Sequence, residues 1–452
     1  MKISEILKIT GGKLLTGARG VDIDLSKVST DSRDIKRGEF FIGVRGPNYC
    51  GSLFAKDALK KGAIGAIVEP RDHSIECAGK ILIRVKDALK AMQDIAAAHR
   101  AKFGIPVICV TGSNGKTTVK EMIADVLSSK YRVLKNEGTK NNHIGVPQTL
   151  LKLKSGHQIC VLELGANHGG EIKTLSRIAR PTVAVITNIG PSHLEYFVDL
   201  AGVCREKTCI LDALKAGEAA LINGDDPMLT RVRPGRFKLL RYGFDSCNDF
   251  RASDVSTAGF SLKFTVNGAE EYSLNLLGAH NIHNSLAAIA VARRFNVNAR
   301  STRKALLNFK PAYMRLDHLK LKGISFINDS YNSNPASMGA ALEAISAYPA
   351  RAKWIVSGDM LELGRGAAHL HHIAGEHIAG SAVTGLLTFG KLSRHTLSGA
   401  SARGMERKNL WHCATHDEIA DTLKRIARSG DIVLIKGSRA MKMEKVIERM
   451  KG

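Results

Sequence analysis

Short apolar runs alternate with longer amphipathic stretches along most of this chain, the pattern of strands exchanged with helices in a parallel sheet. The runs VICVT (107–111), ICVLEL (159–164), VAVITNI (183–189) and AALIN (219–223) are separated by helix-length segments and predict one large sheet with helices on both faces. The last third repeats the alternation with ISFIN (324–328), KWIVSG (353–358), TGLLTFG (384–390) and DIVLIKG (431–437), which predicts a second open α/β sheet. Residues 1–85 carry shorter apolar runs at 40–44, 64–68 and 81–85, followed by an alanine-rich helix over about 86–102. The stretch 236–277 departs from the alternation: FSLKFTVNG followed by EYSLNLL, with Asn-Gly near the turn, predicts strands that extend the sheet or are inserted beside it. Helices over 281–295 and to about 309 precede Pro311, a plausible boundary. The expectation is an α/β protein of three domains, 1–85, 86–311 and 312–452, with parallel sheets in the second and third.

The segment PVICVTGSNGKTTVKEMIADVL (106–127) runs an apolar strand through a glycine loop directly into an amphipathic helix. Glycines at 112 and 115 allow a tight turn that aims backbone N–H groups at an anion, and the start of the helix adds its positive dipole end. Lys116 supplies a full positive charge, and Thr117 a hydroxyl suited to a phosphate-bound Mg²⁺. The loop departs from the common GxxxxGK[ST] form because Val110 stands where the first glycine is expected. Gly112, Ser113, Asn114, Gly115, Lys116, Thr117 and Thr118 are therefore predicted to cradle a nucleoside triphosphate.

Composition narrows the classes. No run approaches the ~18 apolar residues of a membrane span, and MKISEILKITGGKLLTG has neither the apolar core nor the cleavage site of a secretion signal. Eight cysteines stand singly, without CxxC pairs or zinc-type spacing, and read as reduced thiols of a cytoplasmic protein. The net charge of +24, from 66 Lys and Arg against 42 Asp and Glu, raises nucleic acid as a partner. Against it, the basic residues are spread along the chain and aromatics make up only 5%, leaving no ladder for stacking bases. The expectation is no nucleic acid, no membrane insertion, small anionic substrates and a monomeric state.

Several predicted strand ends carry polar residues, where an open α/β sheet presents its site. Glu163 and His193 could serve a Mg²⁺ on the triphosphate, or could be a cap and a turn histidine. Asn281 and Asn284 share one helical face, suited to contact with a base or to capping. Lys207, read from its surroundings alone, is an ordinary solvated helix lysine. NDSYNSNPASM (328–338) and SGDMLELG (357–364) are strand-end clusters of small, acidic and amide residues, each able to line a site or merely cap a loop.

These segments together resemble the Mur ligases. The markers run in order: STDSR (29–33), TGSNGKT (111–117), GTKNNHIGVP (138–147), LELGANHGGEI (162–172), TNIGPSHLEYF (187–197), LGAHNIHNSLAA (277–288), MRLD (314–317), NDSYNSNPASM, GDMLELG and IKGSRAMKME (435–444). The DSYN-NP and GDM-ELG segments resemble the branch that adds D-alanyl-D-alanine to UDP-N-acetylmuramoyl-tripeptide, and the DNPR-type signature of the diamino-acid-adding branch is absent. The resemblance implies an ATP-dependent amide ligation through an acyl phosphate, with a uridine-nucleotide domain, a central P-loop-type ATPase domain and a Rossmann-like C-terminal domain. It implies two Mg²⁺ ions, with Thr117, Glu163, His193 and Lys207 as metal-side residues, Lys207 as a carbamate, and Lys116, His193 and Lys207 as catalytic groups. It further implies Asn281 against the adenine, with Asn284 also on the nucleotide, and Arg315 and Asp329 closing on ATP. Ser29, Asp31, Ser32 and Arg33 would grip the uridine diphosphate end, with Thr139, Asn141 and Asn142 facing the muramoyl peptide. Asn332, Asn334, Pro335 and His371 would lie near the dipeptide.

The chain departs from the family pattern at three places. Tyr49-Cys50-Gly51-Ser52-Leu53-Phe54 replaces an Asp-Gly-His-like segment, Thr208-Cys209 replaces Gly-Glu after Lys207, and Asn328 replaces the commoner Asp before Asp329. A sibling ligase adding a different amine, or more remotely an NTP-dependent nucleic-acid-binding module, are the competing readings.

Overall fold

The computed structural model describes residues 1–46, 48–70 and 79–451. Three sheets organise it. In the first, Lys13–Thr16, Ile81–Arg84, Gly65–Val68, Phe40–Ile42 and Val28–Ser29 lie side by side, all neighbours parallel except the first pair. The second has nine strands, and its parallel part runs from Phe250–Ala258 through Lys238–Gly243, Ala219–Asn223, Val183–Ile186, Val107–Thr111 and Ile159–Glu163 to Val133–Lys135. The third orders Asp317–Leu321, Ile324–Asp329, Ile432–Lys436, Lys353–Gly358, Gly385–Phe389 and Leu410–Cys413, parallel except for the first pair. The expected mixed α/β architecture with three sheets is present.

The strand Val107–Thr111 is central for function. It pairs with Ile159–Glu163 on one side and Val183–Ile186 on the other. The chain leaves it towards one side and returns on the other, so the crevice at its carboxyl end is the topological switch point of the sheet, where open α/β folds bind ligands. Its five residues are all buried, as a strand covered on both faces requires.

The 236–277 stretch resolves into a sheet extension. Ser261–Val266 and Glu270–Leu274 add antiparallel strands beside Phe250–Ala258, and the turn between them has φ 51° at Asn267 and 66° at Gly268. Two successive positive φ values are what the tight hairpin turn demands, and Asn-Gly meets that demand with least strain.

Five strands have no counterpart in the apolar runs: Lys13–Thr16, Val28–Ser29, Val133–Lys135, Asp317–Leu321 and Leu410–Cys413. Each is an edge strand with half-buried or alternating exposure, so it carries no continuous apolar signal. Conversely, the run expected over 183–189 stops pairing at Ile186. Beyond that point Thr187 Oγ1 donates to Asn114 O (2.5 Å), Asn188 Oδ1 accepts from Asn114 N (2.9 Å) and Ile189 N donates to Asp226 Oδ2 (2.7 Å). These side-chain bonds, two of them to Asn114 of the glycine loop, join the backbone bonds Thr187 N to Thr111 O (3.0 Å) and Ser113 N to Asn188 O (2.9 Å).

One apolar core runs from Ile3 and Ile6 of the N-terminal helix through Phe40, Ile83 and Met92 into Cys109, Leu162 and Ile186 of the central sheet. The third sheet has its own cores on its two faces, around Val356 and Leu342. Among the described residues seven cysteines are free, and no helix is long and apolar enough to cross a membrane.

Candidate functional site

The glycine loop sits between strand Val107–Thr111 and helix Lys116–Ser128. Gly112 has φ 144°, and a Cβ there would stand 1.9 Å from Thr187 Oγ1; Gly115 has φ 78°, and its Cβ would stand 2.7 Å from Asn284 Oδ1. Both positions need glycine for backbone conformation and for space. Gly115→Ala is expected to lower stability by about 1–3 kcal/mol and to weaken nucleotide binding, because the αL conformation is strained and Asn284 is held by its bond to Asn281. Chemical denaturation with and without ATP checks both effects, and an unchanged nucleotide affinity would count against the cradle.

Lys116 folds back over the loop, donating from Nζ to Gly112 O (2.8 Å) and Ser113 O (3.0 Å). Burial of the ammonium pushes its pKa down to about 8, with nearby Arg315 adding to the shift and Glu163 opposing it. An anion placed against this ammonium would favour its charged form. Ser113 Oγ is tied to Gly190 N and O (2.9 Å each), so the loop is braced by the 187–190 segment.

Glu163 closes strand Ile159–Glu163 beside the loop and is 1% exposed. Its Oε1 accepts from Asn141 Nδ2 (2.6 Å), and its Oε2 is buried with no hydrogen-bond partner. An unpaired buried carboxylate oxygen is costly and calls for a cation. Thr117 is nearly buried, and its Oγ1 accepts from Arg315 Nη2 (3.2 Å). Among the described residues no three His, Cys, Asp or Glu side chains converge as a self-sufficient metal cage. That donor set fits Mg²⁺, which takes one or two protein oxygens and completes its shell with phosphates and water.

His193 has φ 51° at the entry to the turn Leu194–Phe197. Its Nδ1 lies 2.6 Å from Glu362 Oε2 of the third-sheet unit, close enough for an ion pair but not aligned as a hydrogen bond. That contact holds the Glu362 carboxyl below its ordinary pKa. Lys207 lies in helix Leu200–Thr208 and is 1% exposed. The expectation of a solvated lysine, drawn from its local surroundings, is therefore overturned: tertiary packing covers it. Burial pushes its pKa down to about 7, and Lys116 adds to the shift. The adjacent Glu206, whose two oxygens accept from Gly170 N and Ile172 N (2.7 Å each), opposes the shift.

Across the cavity, Asn281 and Asn284 are buried on helix His280–Arg294 and bonded to each other at 2.9 Å. The Arg315 guanidinium lies 4.1 Å from the centre of the Tyr331 ring. Asp329 accepts from Lys436 Nζ (2.5 Å) and Leu316 N (3.2 Å), and Lys436 is 1% exposed. Asn334 caps helix Pro335–Ser346, and its Nδ2 reaches Asn114 Oδ1 on the glycine loop at 3.0 Å. Burial lowers the pKa of His280 to about 4, so its imidazole is neutral there.

One cavity of about 610 Å³ gathers most of the predicted residues. Ser113 through Lys116, Thr118, Asn141, Asn142, Glu163, His193, Asn281, Asn284, Arg315, Asp329, Asn332 and Asn334 all line it. A separate depression of about 670 Å³, near Phe250, Asn267 and Arg293, holds none of them. Gly112 and Thr117 adjoin lining residues in the chain, and the buried Lys207, outside the lining, is close enough to feel the charge of Lys116.

Other predicted residues stand elsewhere. Ser29 ends the edge strand of the first sheet, and Asp31, Ser32 and Arg33 follow in its loop, where Arg33 binds Asp31 through two bonds (2.9 and 2.6 Å) and holds its carboxyl down at about 2. That loop is tethered to the central unit by Gln148 Nε2 donating to Thr30 Oγ1 (2.8 Å). Thr139 is exposed, and Pro335 starts its helix just behind the lining. His371 does not reach the cavity: it is fully buried, with Nε2 accepting from Met360 N (2.9 Å) and Nδ1 at Ala367 O (2.7 Å). Its ring braces the 359–361 turn instead. In the altered uridine-side segment, Tyr49, Leu53 and Phe54 are exposed, with Leu53 67% accessible. Asn328 is buried and accepts from Ser330 Oγ at 2.6 Å.

Lys436, Tyr331, Asn188 and Glu362 were not singled out from the sequence. Each is a common residue type whose importance comes from a partner far along the chain.

Comparison with known proteins matches the arrangement. Family descriptions match in chain order: the Mur ligase family, catalytic domain, over residues 24–100; the Mur ligase middle domain over 110–292; and the Mur ligase, glutamate ligase domain, over 314–439. The UDP-N-acetylmuramoyl-tripeptide–D-alanyl-D-alanine ligase of Bacillus subtilis (strain 168) is 36% identical over 426 residues, covering 93% of this chain and 92% of that one. The chain belongs to the Mur ligase family. Two solved structures extend the likeness to the whole Mur ligase fold. The MurF of Acinetobacter baumannii superposes with a TM-score of 0.90 at 28% identity, covering 100% of this chain and 99% of that one. The MurF of Thermotoga maritima, solved in complex with ADP, gives 0.84 at 26% identity, covering 95% and 98%.

Proposed function

We propose that this Mur ligase joins UDP-N-acetylmuramoyl-tripeptide to D-alanyl-D-alanine at the expense of ATP, giving the pentapeptide, ADP and phosphate. The observation that carries this reading is the glycine loop facing an orphaned Glu163 oxygen, roofed by Arg315 and Asp329, in a chain that matches D-Ala-D-Ala-adding relatives nearly end to end. ATP is the phosphoryl donor.

In this reading the 112–118 loop holds the triphosphate, and Asn281 faces the adenine, with Asn284 also on the nucleotide. A tripeptide carboxylate oxygen attacks the γ-phosphorus, the bond to the bridging oxygen breaks, and ADP stays bound beside the new acyl phosphate. The dipeptide amine then adds to the acyl carbon and phosphate departs. Lys116 meets the charge that accumulates on the transferring phosphoryl group. Thr117, Glu163, His193 and a carbamate on Lys207 would hold two Mg²⁺, which supply charge neutralisation between the two anions. Arg315 and Asp329, brought by the C-terminal unit, cover the acyl phosphate against water.

The boundaries 1–85, 86–311 and 312–452 divide the labour in this scheme between uridine nucleotide, ATP and closing unit. Ser29, Asp31, Ser32 and Arg33 take the uridine diphosphate; Thr139, Asn141 and Asn142 face the muramoyl peptide; Asn332, Asn334 and Pro335 face the dipeptide. His371 acts only through the 359–361 turn. Its precursors place the work in the cytoplasm, and a monomer suffices, since one chain supplies every group named.

The test is phosphate release with Mg-ATP. Turnover that requires both the tripeptide substrate and D-Ala-D-Ala is the expected result. Turnover only with the dipeptide precursor and a free amino acid would make the chain a sibling ligase and overturn this assignment.

A further inference from the structure

We infer that Asn136 is a positioning residue for the metal-side carboxylate Glu163, and that Lys120 anchors it to the phosphate-loop helix. The inference rests on the proposed Mg-ATP chemistry. Asn136 follows the short strand Val133–Lys135, which pairs in parallel with the strand that ends at Glu163. The backbone ladder stops at Lys135 opposite Val161. The Asn136 side chain continues it: its Oδ1 accepts from Glu163 N (2.9 Å) and its Nδ2 donates to Glu163 O (3.2 Å). One carboxamide thereby grips both the N–H and the C=O of one residue, Glu163. Because an N–H and a C=O are read at once, only one orientation of the amide satisfies them.

The same Nδ2 donates to Lys140 O (2.9 Å), which positions the next residue, Asn141. Asn141 in turn donates to Glu163 Oε1 (2.6 Å), the bond that leaves Oε2 free. Asn136 therefore sets both the backbone of Glu163 and the partner that orients its carboxylate. It is fully buried, so no water competes for these bonds.

Lys120 supplies the link to the other metal-side oxygen. It lies on helix Lys116–Ser128, three residues after Thr117, and is fully buried. Its Nζ donates to Asn136 O (2.8 Å) and Gly138 O (3.3 Å), and it pairs with Glu121 at 2.6 Å. A buried lysine is held charged at a cost that only such partners offset. The chain of contacts from the helix bearing Thr117, through Lys120 and Asn136, to Glu163 sets the separation between two groups that must bind one cation. Partners behind a metal ligand commonly govern affinity by about 10- to 100-fold.

The experiment is calorimetric binding of a β,γ-methylene ATP analogue to the full chain, with and without Mg²⁺. Wild type should bind more tightly with Mg²⁺. Asn136→Ala should keep its Mg²⁺-free affinity and lose about 10-fold or more of the Mg²⁺-dependent gain, and the Mg²⁺ concentration for half-maximal turnover should rise in parallel. An equal gain in variant and wild type would overturn the inference, as would a fall in turnover with no shift in the Mg²⁺ midpoint, which marks a merely structural role. If Asn136→Ala loses Mg²⁺-free binding as well, Lys120→Met decides: a smaller loss of the same gain supports the anchor, and an unchanged gain rejects it. Failure of wild type itself to gain from Mg²⁺ would count against the proposed chemistry rather than against the clamp.

Discussion

Lys116→Ala is expected to lower kcat for phosphate release by about 10³-fold, with a much smaller effect on the protein's stability. The reason lies in what surrounds the ammonium. Its present partners are two backbone oxygens, Gly112 O and Ser113 O, which leave a full charge short of neutralisation. Burial already pushes its pKa down to about 8. Arrival of a triphosphate reverses that balance, since an anion favours the charged form, and the benefit grows as charge accumulates in the transition state. Removing the side chain deletes the gain but leaves the loop, whose shape depends on Gly112 and Gly115 and on the bracing by Thr187 and Asn188. Lys116→Arg is expected to restore little, because a planar guanidinium does not fit a point-charge site. Steady-state phosphate release under saturating substrates measures the effect, and a kcat within about tenfold of wild type would remove Lys116 from the phosphoryl-transfer step.

The second large effect is expected at Lys207. A buried lysine whose pKa is pushed down to about 7 is half neutral near neutrality, and only the neutral amine can attack CO₂. Attack forms an N–C bond and expels one proton, converting a cation that repels Mg²⁺ into an anion able to bind it. The reactive fraction falls about tenfold per pH unit below the pKa, so activity should drop from pH 7 to pH 6 and be partly restored by added bicarbonate. Lys207→Ala should be inactive, and a small carboxylate such as acetate should recover part of the rate by occupying the vacated space. Full activity of the unrescued variant, or a rate indifferent to CO₂ depletion, would exclude the carbamate. Both variants can be checked for folding by their thermal midpoints.

These two lysines illustrate how differently a site is written into a chain. Lys116 is legible because its chemistry is local: strand, glycines, lysine and helix follow one another within a few residues, and backbone rules alone bring them together. Lys207 has no such local mark. In its helix it looks like any solvated lysine, and only the resemblance to the Mur ligases singled it out; its low pKa arises from the packing around it. His371 shows the reverse failure, where a motif position suggested a ligand contact and the fold used both ring nitrogens to hold a turn. Asn141 is a milder case: expected to face substrate, it lines the cavity and also holds Glu163 Oε1.

Hydrophobic patterning alone determined the α/β class, the two large parallel sheets and the place of the glycine loop, because buried strands need continuous apolar runs and helices need a 3.6-residue stripe. The Asn-Gly pair determined the turn at Asn267-Gly268, since that turn's positive φ angles select those residues. Only the tertiary structure decided the edge strands, the end of pairing at Ile186, the free oxygen of Glu163 and the Asn136 clamp. Most of these depend on partners tens to hundreds of residues apart, and hydrogen bonding and desolvation act through distance in space, which the order of residues along the chain does not record.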